Sequence, residues 1–352
     1  MSWIVGQSYR NNFNAEVGHS RRSPSQNGDF AMKRIVLAGV AILAALSLAA
    51  CSGPAPSSSG GDSKKTLGIV ALVATDALNA AVIKGAKEAA TKAGWDVKVT
   101  DTQGSVDKAN AAMTTFSTTQ KVDGIAVMAF LSTSLGSGLA SAKAAGIPVV
   151  SWGGTIVPGI VATTSALKVG EDSVNALLDD FGSKGDVLAL TYHTGVLCLY
   201  RGVAFDAAMK KKSGITVTSN EVAIPGQVND GTKFTAAWLA SHPAGSGPLA
   251  VWGSWDEPGM GAIAAIKQSG RTDVKVYAIN GGPQALQAVK DGSLQQVVWQ
   301  DGVTEGKELM DAVAASIKAG PSWKAKTIDV PGVVVTKDTV DGFLTDHPDA
   351  LK

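Results

Sequence analysis

From Thr66 onward, the chain repeats one alternation: a short unbroken apolar run, then a stretch with helical spacing. Nothing else in it limits the possible folds as much. Residues 67–73 and 124–128 are continuous apolar runs with no polar alternation, as expected of strands buried on both faces of a parallel sheet. Residues 80–93 place Val82, Ala86, Ala89 and Ala90 on one helical face and Lys84, Lys87, Glu88 and Lys92 on the other, and Gly94 stops the helix. Strands at 95–99 and 147–152 and helices at 108–120 and 137–145 continue the pattern, with Pro148 near a strand start where a missing N–H matters least. The series then begins again. Helices at 171–182, 202–212, 232–241 and 259–268 alternate with strands at 186–190, 215–218, 249–252 and 274–279. Helices at 283–290 and 305–318 and a late strand at 333–335 follow. Two successive runs of strict alternation predict an α/β protein of two doubly wound parallel-sheet lobes facing one another.

The 352 residues, 45% hydrophobic and 17% charged, allow two domains with a sizeable core. A net charge of +1 gives no electrostatic case for nucleic acid or an acidic partner. Ahead of the alternation, Lys33-Arg34, an apolar run over 35–48 and small residues have the layout of a secretory signal peptide over 32–50. The run is shorter than the ~20 residues of a bilayer span. Residues 1–31 are polar and unpatterned, and a start at Met32 makes them a non-native or misassigned extension. Leu48-Ala49-Ala50-Cys51 resembles the lipobox of bacterial lipoproteins. That resemblance implies that Cys51 is lipidated, becomes the mature N-terminus and anchors the protein at the extracytoplasmic face of the membrane. The Ser/Gly/Pro-rich residues 51–65 then form a flexible linker. With Cys51 so assigned, Cys198 has no intramolecular partner, and the fold must rest on core burial.

In open α/β sheets, ligands bind beyond the carboxyl ends of the strands. Those ends carry Asp76, Asn79, Phe130, Ser132 and Trp152 in the first lobe, and His193, Asn229, Trp255, Asn280 and Gln300 in the second. Amides and carboxylates hydrogen-bond hydroxyls, and aromatic faces pack on the C–H side of a sugar or polyol. Each residue also has an ordinary structural use. An Asn before Gly, like Asn280, is a common turn residue; a Trp beside a core strand more often packs than binds, and His193 more often holds a loop. The recurrence of these types at successive strand ends favours a binding cleft.

Residues 66–335 resemble the sugar-binding periplasmic proteins of the ribose-binding (type I) class, the solute receptors of ABC importers. The matching pieces are 122–125, 145–150, Asp256-Glu257 with 261–263, 273–276 running into 280–286, and 288–292. The resemblance implies lobes joined by three crossovers near Gly153, Gln300 and Ile328. The N-terminal lobe is then 66–153 with 301–328 and the C-terminal lobe 154–300 with 329–352, closing on the ligand by hinge motion. It implies departures as well. Leu78-Asn79 stands where the family has aromatics, Leu131 where it has Asp, Leu199 where it has Arg, Asn229 where it has an aromatic, Trp255 where it has Asn and Asn280 where it has Asp. Arg201 matches only a neighbouring family Arg, and Gln300 is retained. The Asp/Arg charge pair is therefore expected to be lost. A neutral pocket rimmed by Trp152, Trp255 and Trp299 would suit a small polyol, tetritol or pentose rather than ribose.

No Gly-x-Gly-x-x-Gly follows the first strand, no P-loop is present, and the four His and Cys198 show no metal-ligand spacing. The expectation is a binding protein without catalysis or cofactor, acting as a monomer and delivering its ligand to an ABC permease. A transcriptional regulator of the same fold would need a DNA-reading helix where the signal peptide stands. A lipoprotein that senses its ligand for a chemoreceptor or histidine kinase is the alternative to import.

Overall fold

In the computed structural model, which describes residues 64–351, the apolar runs become strands covered on both faces. The extension at 1–31, the signal peptide at 32–50, Cys51 and the linker up to residue 63 lie outside the described residues. In chain order the first elements are β1 (Thr66–Ala71), α1 (Ala77–Lys92), β2 (Asp96–Asp101), α2 (Val106–Thr118), β3 (Gly124–Met128), α3 (Gly136–Ala144), β4 (Val149–Trp152) and β5 (Ile160–Thr164). Then come α4 (Leu167–Phe181), β6 (Gly185–Thr191), α5 (Val196–Met209), β7 (Ile215–Glu221), α6 (Gln227–Ser241), β8 (Leu249–Gly253), α7 (Asp256–Gln268), β9 (Val274–Asn280), α8 (Pro283–Asp291) and β10 (Gln296–Trp299). The chain ends with α9 (Gly302–Ala319), β11 (Lys326–Ile328), β12 (Val333–Thr336) and α10 (Val340–Asp346).

Leu67, Ile69 and Val70 are fully buried in β1, and each such side chain contributes roughly 1.5–3 kcal/mol of burial. The strands form two six-stranded sheets, in the orders β11-β5-β4-β3-β1-β2 and β12-β10-β9-β8-β6-β7. Every pairing is parallel except that of β10 with β12. The protein is thus a pair of doubly wound α/β lobes. Both sheets reverse strand order at the same place, between β1 and β3 in one and between β6 and β8 in the other.

The chain passes between the sheets three times: after Thr164, after Trp299 and between β11 and β12. The first passage corrects the boundary expected near Gly153. Strand β5 pairs in parallel with β4 and belongs to the first sheet. Its sequence, Ile-Val-Ala-Thr-Thr, has no clear period, and the link from β4 lacks the helix that a parallel crossover usually carries. Helix α9 follows β10 of the second sheet, yet packs on α1 of the first lobe. Two glycines let those helices touch: a Cβ on Gly85 would lie 2.0 Å from the Val303 carbonyl oxygen, and one on Gly306 would lie 1.9 Å from that of Val82.

The lobes meet across the cleft. The Val196 N–H donates to the Ala129 carbonyl at 3.0 Å, and Phe130 and Gly195 form an antiparallel bridge. At Gly282 of the second lobe, a Cβ would lie 3.0 Å from the Ala77 Cβ of the first. This is a closed arrangement.

Candidate functional site

Strand-order reversals leave a crevice at the carboxyl ends of the adjacent strands. Here the two crevices face each other and enclose a pocket of about 450 Å³, its open mouth included. Asp76 follows β1 and caps α1. Its Oδ1 accepts from the Asn79 backbone N–H and from Asn79 Nδ2, both at 2.9 Å, so both side chains are fixed at the pocket wall. Trp152, at the end of β4, is 1% exposed, and its Nε1 donates to Glu305 Oε2 at 2.8 Å. Trp255 precedes α7 and packs edge-on to Tyr192, with ring centroids 6.0 Å apart. Its Nε1 donates to Glu257 Oε2 at 3.2 Å. Asn280 ends β9 at φ +95°, a conformation that Asn tolerates better than most residues.

Arg201 joins these parts. Rising from α5 and only 1% exposed, it donates through Nη1 to the Ser254 carbonyl at 2.7 Å and through Nη2 to Asn280 Oδ1 at 2.9 Å and to Gln300 Oε1. Burial lowers its pKa from the usual guanidinium value. A buried guanidinium is tolerated only with acceptors around it. The expectation of a neutral pocket is therefore corrected: Arg201, Asp76 and Glu257 all line it. The position read as losing its Arg is Leu199, and the turn of α5 brings Arg201 into the site instead. Two buried polar atoms of the pocket's lining residues carry no hydrogen-bond partner, Arg201 Nε and Asn79 Oδ1, and Gln300 Nε2 behind Arg201 has none either. Buried polar groups are nearly always paired, so this cluster is poised for an added hydroxyl.

The acids nearby are shifted upward. Burial, then the charge of Asp76, raises Asp256 to about 7, although the Gly282 N–H donates to its Oδ2 at 2.8 Å. Burial and Asp76 also raise Glu257. Burial raises Glu305 to about 7 against the opposing effects of Trp152 and Arg201.

Of the residues expected at the site, Asp76, Asn79, Trp152, Trp255 and Asn280 line the pocket. The others do not. Gln300 lies one layer back, bonded to Arg201. Phe130 is fully buried in the core and reaches the cleft only through its backbone. Ser132 Oγ donates to the Thr155 carbonyl at 2.8 Å and accepts from the Thr155 N–H at 2.9 Å, and so secures that loop. His193 is exposed, with Nδ1 2.6 Å from Glu221 Oε2. Asn229 is on an exposed face of α6. Trp299 packs against Phe343 and His347 in a second groove, which Asn280 and Gln300 also line. A strand-end position selects a neighbourhood, and side-chain direction then decides which residues reach the ligand. Leu72, Tyr192, Cys198, Ile224 and Gln227 are the main lining residues not anticipated besides Arg201.

The profile described as "Periplasmic binding protein domain" matches residues 67–321. The chain belongs to this family. Its members are solute-binding proteins of the periplasmic or extracytoplasmic space and not enzymes. Among curated relatives, the xylitol-binding protein of Mycolicibacterium smegmatis is 29% identical over 63% of this chain and 63% of its own length. This chain thus spans just under two thirds of that relative. The ribose import binding protein of Bacillus subtilis is 26% identical over 82% of this chain and 97% of its own length. Among solved structures, an ABC transporter solute-binding protein from Agrobacterium vitis with bound allitol superposes with a TM-score of 0.73 at 24% identity, covering 80% of this chain and 99% of that one. That likeness fixes the type I periplasmic binding protein fold.

Proposed function

We propose that this protein captures a small neutral sugar or polyol, of tetritol or pentose size, between its two lobes and delivers it to an ABC permease. The carrying observation is the pair of unpartnered polar atoms, Arg201 Nε and Asn79 Oδ1, in a pocket that Trp152 and Trp255 also line, at the meeting of the two strand-order reversals. Hydroxyls of a polyol supply both donors and acceptors to such a cluster, and its C–H faces pack on the aromatic walls. The two indoles narrow the cleft, which favours a short carbon chain. The names of two relatives, one xylitol-binding and one for ribose import, support the ligand class, and the second supports import over sensing.

Capture follows from differential affinity. Residues of both lobes contact the ligand only when the lobes are together, so the ligand favours the closed form by that difference. Asp76, Asn79, Trp152, Trp255, Asn280 and, through Arg201, Gln300 form the site in this reading. Lipidation at Cys51 tethers the monomer beside its permease. Calorimetric titration against a panel of tetritols, pentitols, pentoses, hexoses and amino acids tests the ligand class. Binding confined to polyols or pentoses supports the reading; binding of amino acids alone, or of no member, ends it.

A further inference from the structure

The pocket differs at its two ends. All three passages between the lobes lie toward the β5/β11 edge of one sheet and the β10/β12 edge of the other, so that edge is the hinge side. Trp152, Asn280 and Gln300 follow strands on this side, and Arg201 bonds the last two. Here Arg201 Nε and Gln300 Nε2 have no partner.

The opposite edge is formed by β2 and β7, with β1 and β6 beside them. Leu72 and Val73 after β1, Tyr192 after β6 and Ile224 after β7 line the pocket there. They converge across the cleft. A Cβ on Gly104 would lie 3.3 Å from Tyr192 Oη and 3.8 Å from Ile224 Cγ2, and one on Gly195 would lie 3.4 Å from Leu72 Cδ2. Asp76 and Asn79 follow β1 as well and bond each other at 2.9 Å, with Asn79 Oδ1 left free, while the other polar groups at this end are engaged. Gln227 Nε2 donates to Glu257 Oε2 at 2.5 Å, the Gly226 N–H donates to Gln227 Oε1 at 3.0 Å, and the Tyr192 hydroxyl bonds Thr194. A hydroxyl buried against three aliphatic side chains without a free partner costs binding energy, whereas a methyl group there gains it.

We infer that the solute is amphiphilic: a short polyol or pentose whose end away from the hinge is a methyl group in place of a hydroxymethyl. This rests on the reading of the cleft as a sugar or polyol site and narrows it to the terminally deoxygenated class. Leu72, Val73 and Ile224 are the specificity-determining residues.

The test is calorimetric titration of the protein with matched pairs: xylitol, arabinitol and ribose, each beside its terminal-deoxy analogue. The expected result is at least roughly tenfold tighter binding of the deoxy member in one or more pairs, the scale on which an apolar pocket rejects an added hydroxyl. Ile224→Asn and the near-isosteric Val73→Thr should each narrow or reverse that preference. Equal or tighter binding of the hydroxylated member in every pair overturns the inference and leaves the sugar reading standing. Failure of every member of every pair to bind removes the sugar reading, and this inference with it.

Discussion

Arg201 Nη2 donates to Asn280 Oδ1 at 2.9 Å across a separation of 79 residues. This bond ties the first turns of α5 to the end of β9, and Gln300 extends it to the passage where the chain crosses between lobes. One buried cation therefore links the pocket floor to the hinge. A ligand that bonds the free Arg201 Nε adds to a network that already spans both.

Asn280→Ala removes one of three acceptors from a buried guanidinium and places Ala at φ +95°. The expected loss of stability in urea unfolding is roughly 2–4 kcal/mol, with a large loss of ligand affinity. Asn280→Asp keeps an acceptor for Arg201 and should lose much less stability. Equal stability of the Ala variant and the parent would show that Arg201 does not depend on this bond.

Gly282→Leu should act on closure rather than folding. Gly282 has φ −61°, which any residue adopts, but a Cβ there would meet Ala77 Cβ of the facing lobe at 3.0 Å and Asp256 Oδ2 at 3.1 Å. A leucine would wedge the lobes apart. Solution scattering should give a larger radius of gyration in the presence of ligand than for the parent, with affinity at least about tenfold weaker and each lobe still folded.

Asp256 and Glu305 give the stability a defined pH dependence. Burial raises both to about 7 in the folded protein, above the ordinary carboxyl values of 3.8 and 4.5. The folded state therefore holds these protons more tightly than the unfolded chain. Their stabilisation is complete below about pH 4 and is lost as pH rises through about 7. Glu305→Gln keeps an acceptor for Trp152 Nε1, and Asp256→Asn keeps one for the Gly282 N–H. Each should raise the melting temperature at pH 8, by on the order of 2 kcal/mol in stability, and flatten the slope between pH 5 and pH 7. An unchanged slope in both variants would contradict the assignment.

Cys198 offers a direct report on opening. It lines the pocket, and burial pushes its thiol up to about 11, so little thiolate forms at pH 8 in the closed form. Alkylation at Cys198, followed by peptide mapping, should be slow and should slow further with bound ligand. A rate equal to that of a free thiol, unaffected by ligand, would mean that Cys198 is not enclosed.

The architecture was legible because parallel strands buried on both faces leave unbroken apolar runs, as at 67–71 and 124–128. Strand β5 carries no such mark, so the sequence points to a first passage near Gly153 rather than after Thr164. The site was half legible. Strand ends pointed to Asp76, Asn79, Trp152, Trp255 and Asn280, since the loops after parallel strands gather at the switch point. The place of Arg201 in the site is hidden because helix α5 starts at Val196, preceded by Gly195 with no side-chain cap to announce it. The expected start at Gly202 leaves Arg201 outside the helix, and its match to a neighbouring family Arg is the one sequence signal that points to it. His193 occupies a strand-end loop and Asn229 the first turn of α6, and both are exposed; neither position carries a sequence period from which its direction can be read.

The central claim is capture in this cleft, and a crystal structure with the best-bound polyol or pentose of the panel tests it most directly. The account predicts one ligand between the lobes, with hydroxyls on Asp76, Asn79 and Arg201 and carbons between Trp152 and Trp255. A ligand seated in the second groove beside Trp299 and His347, with the cleft between the strand ends unoccupied, would contradict it.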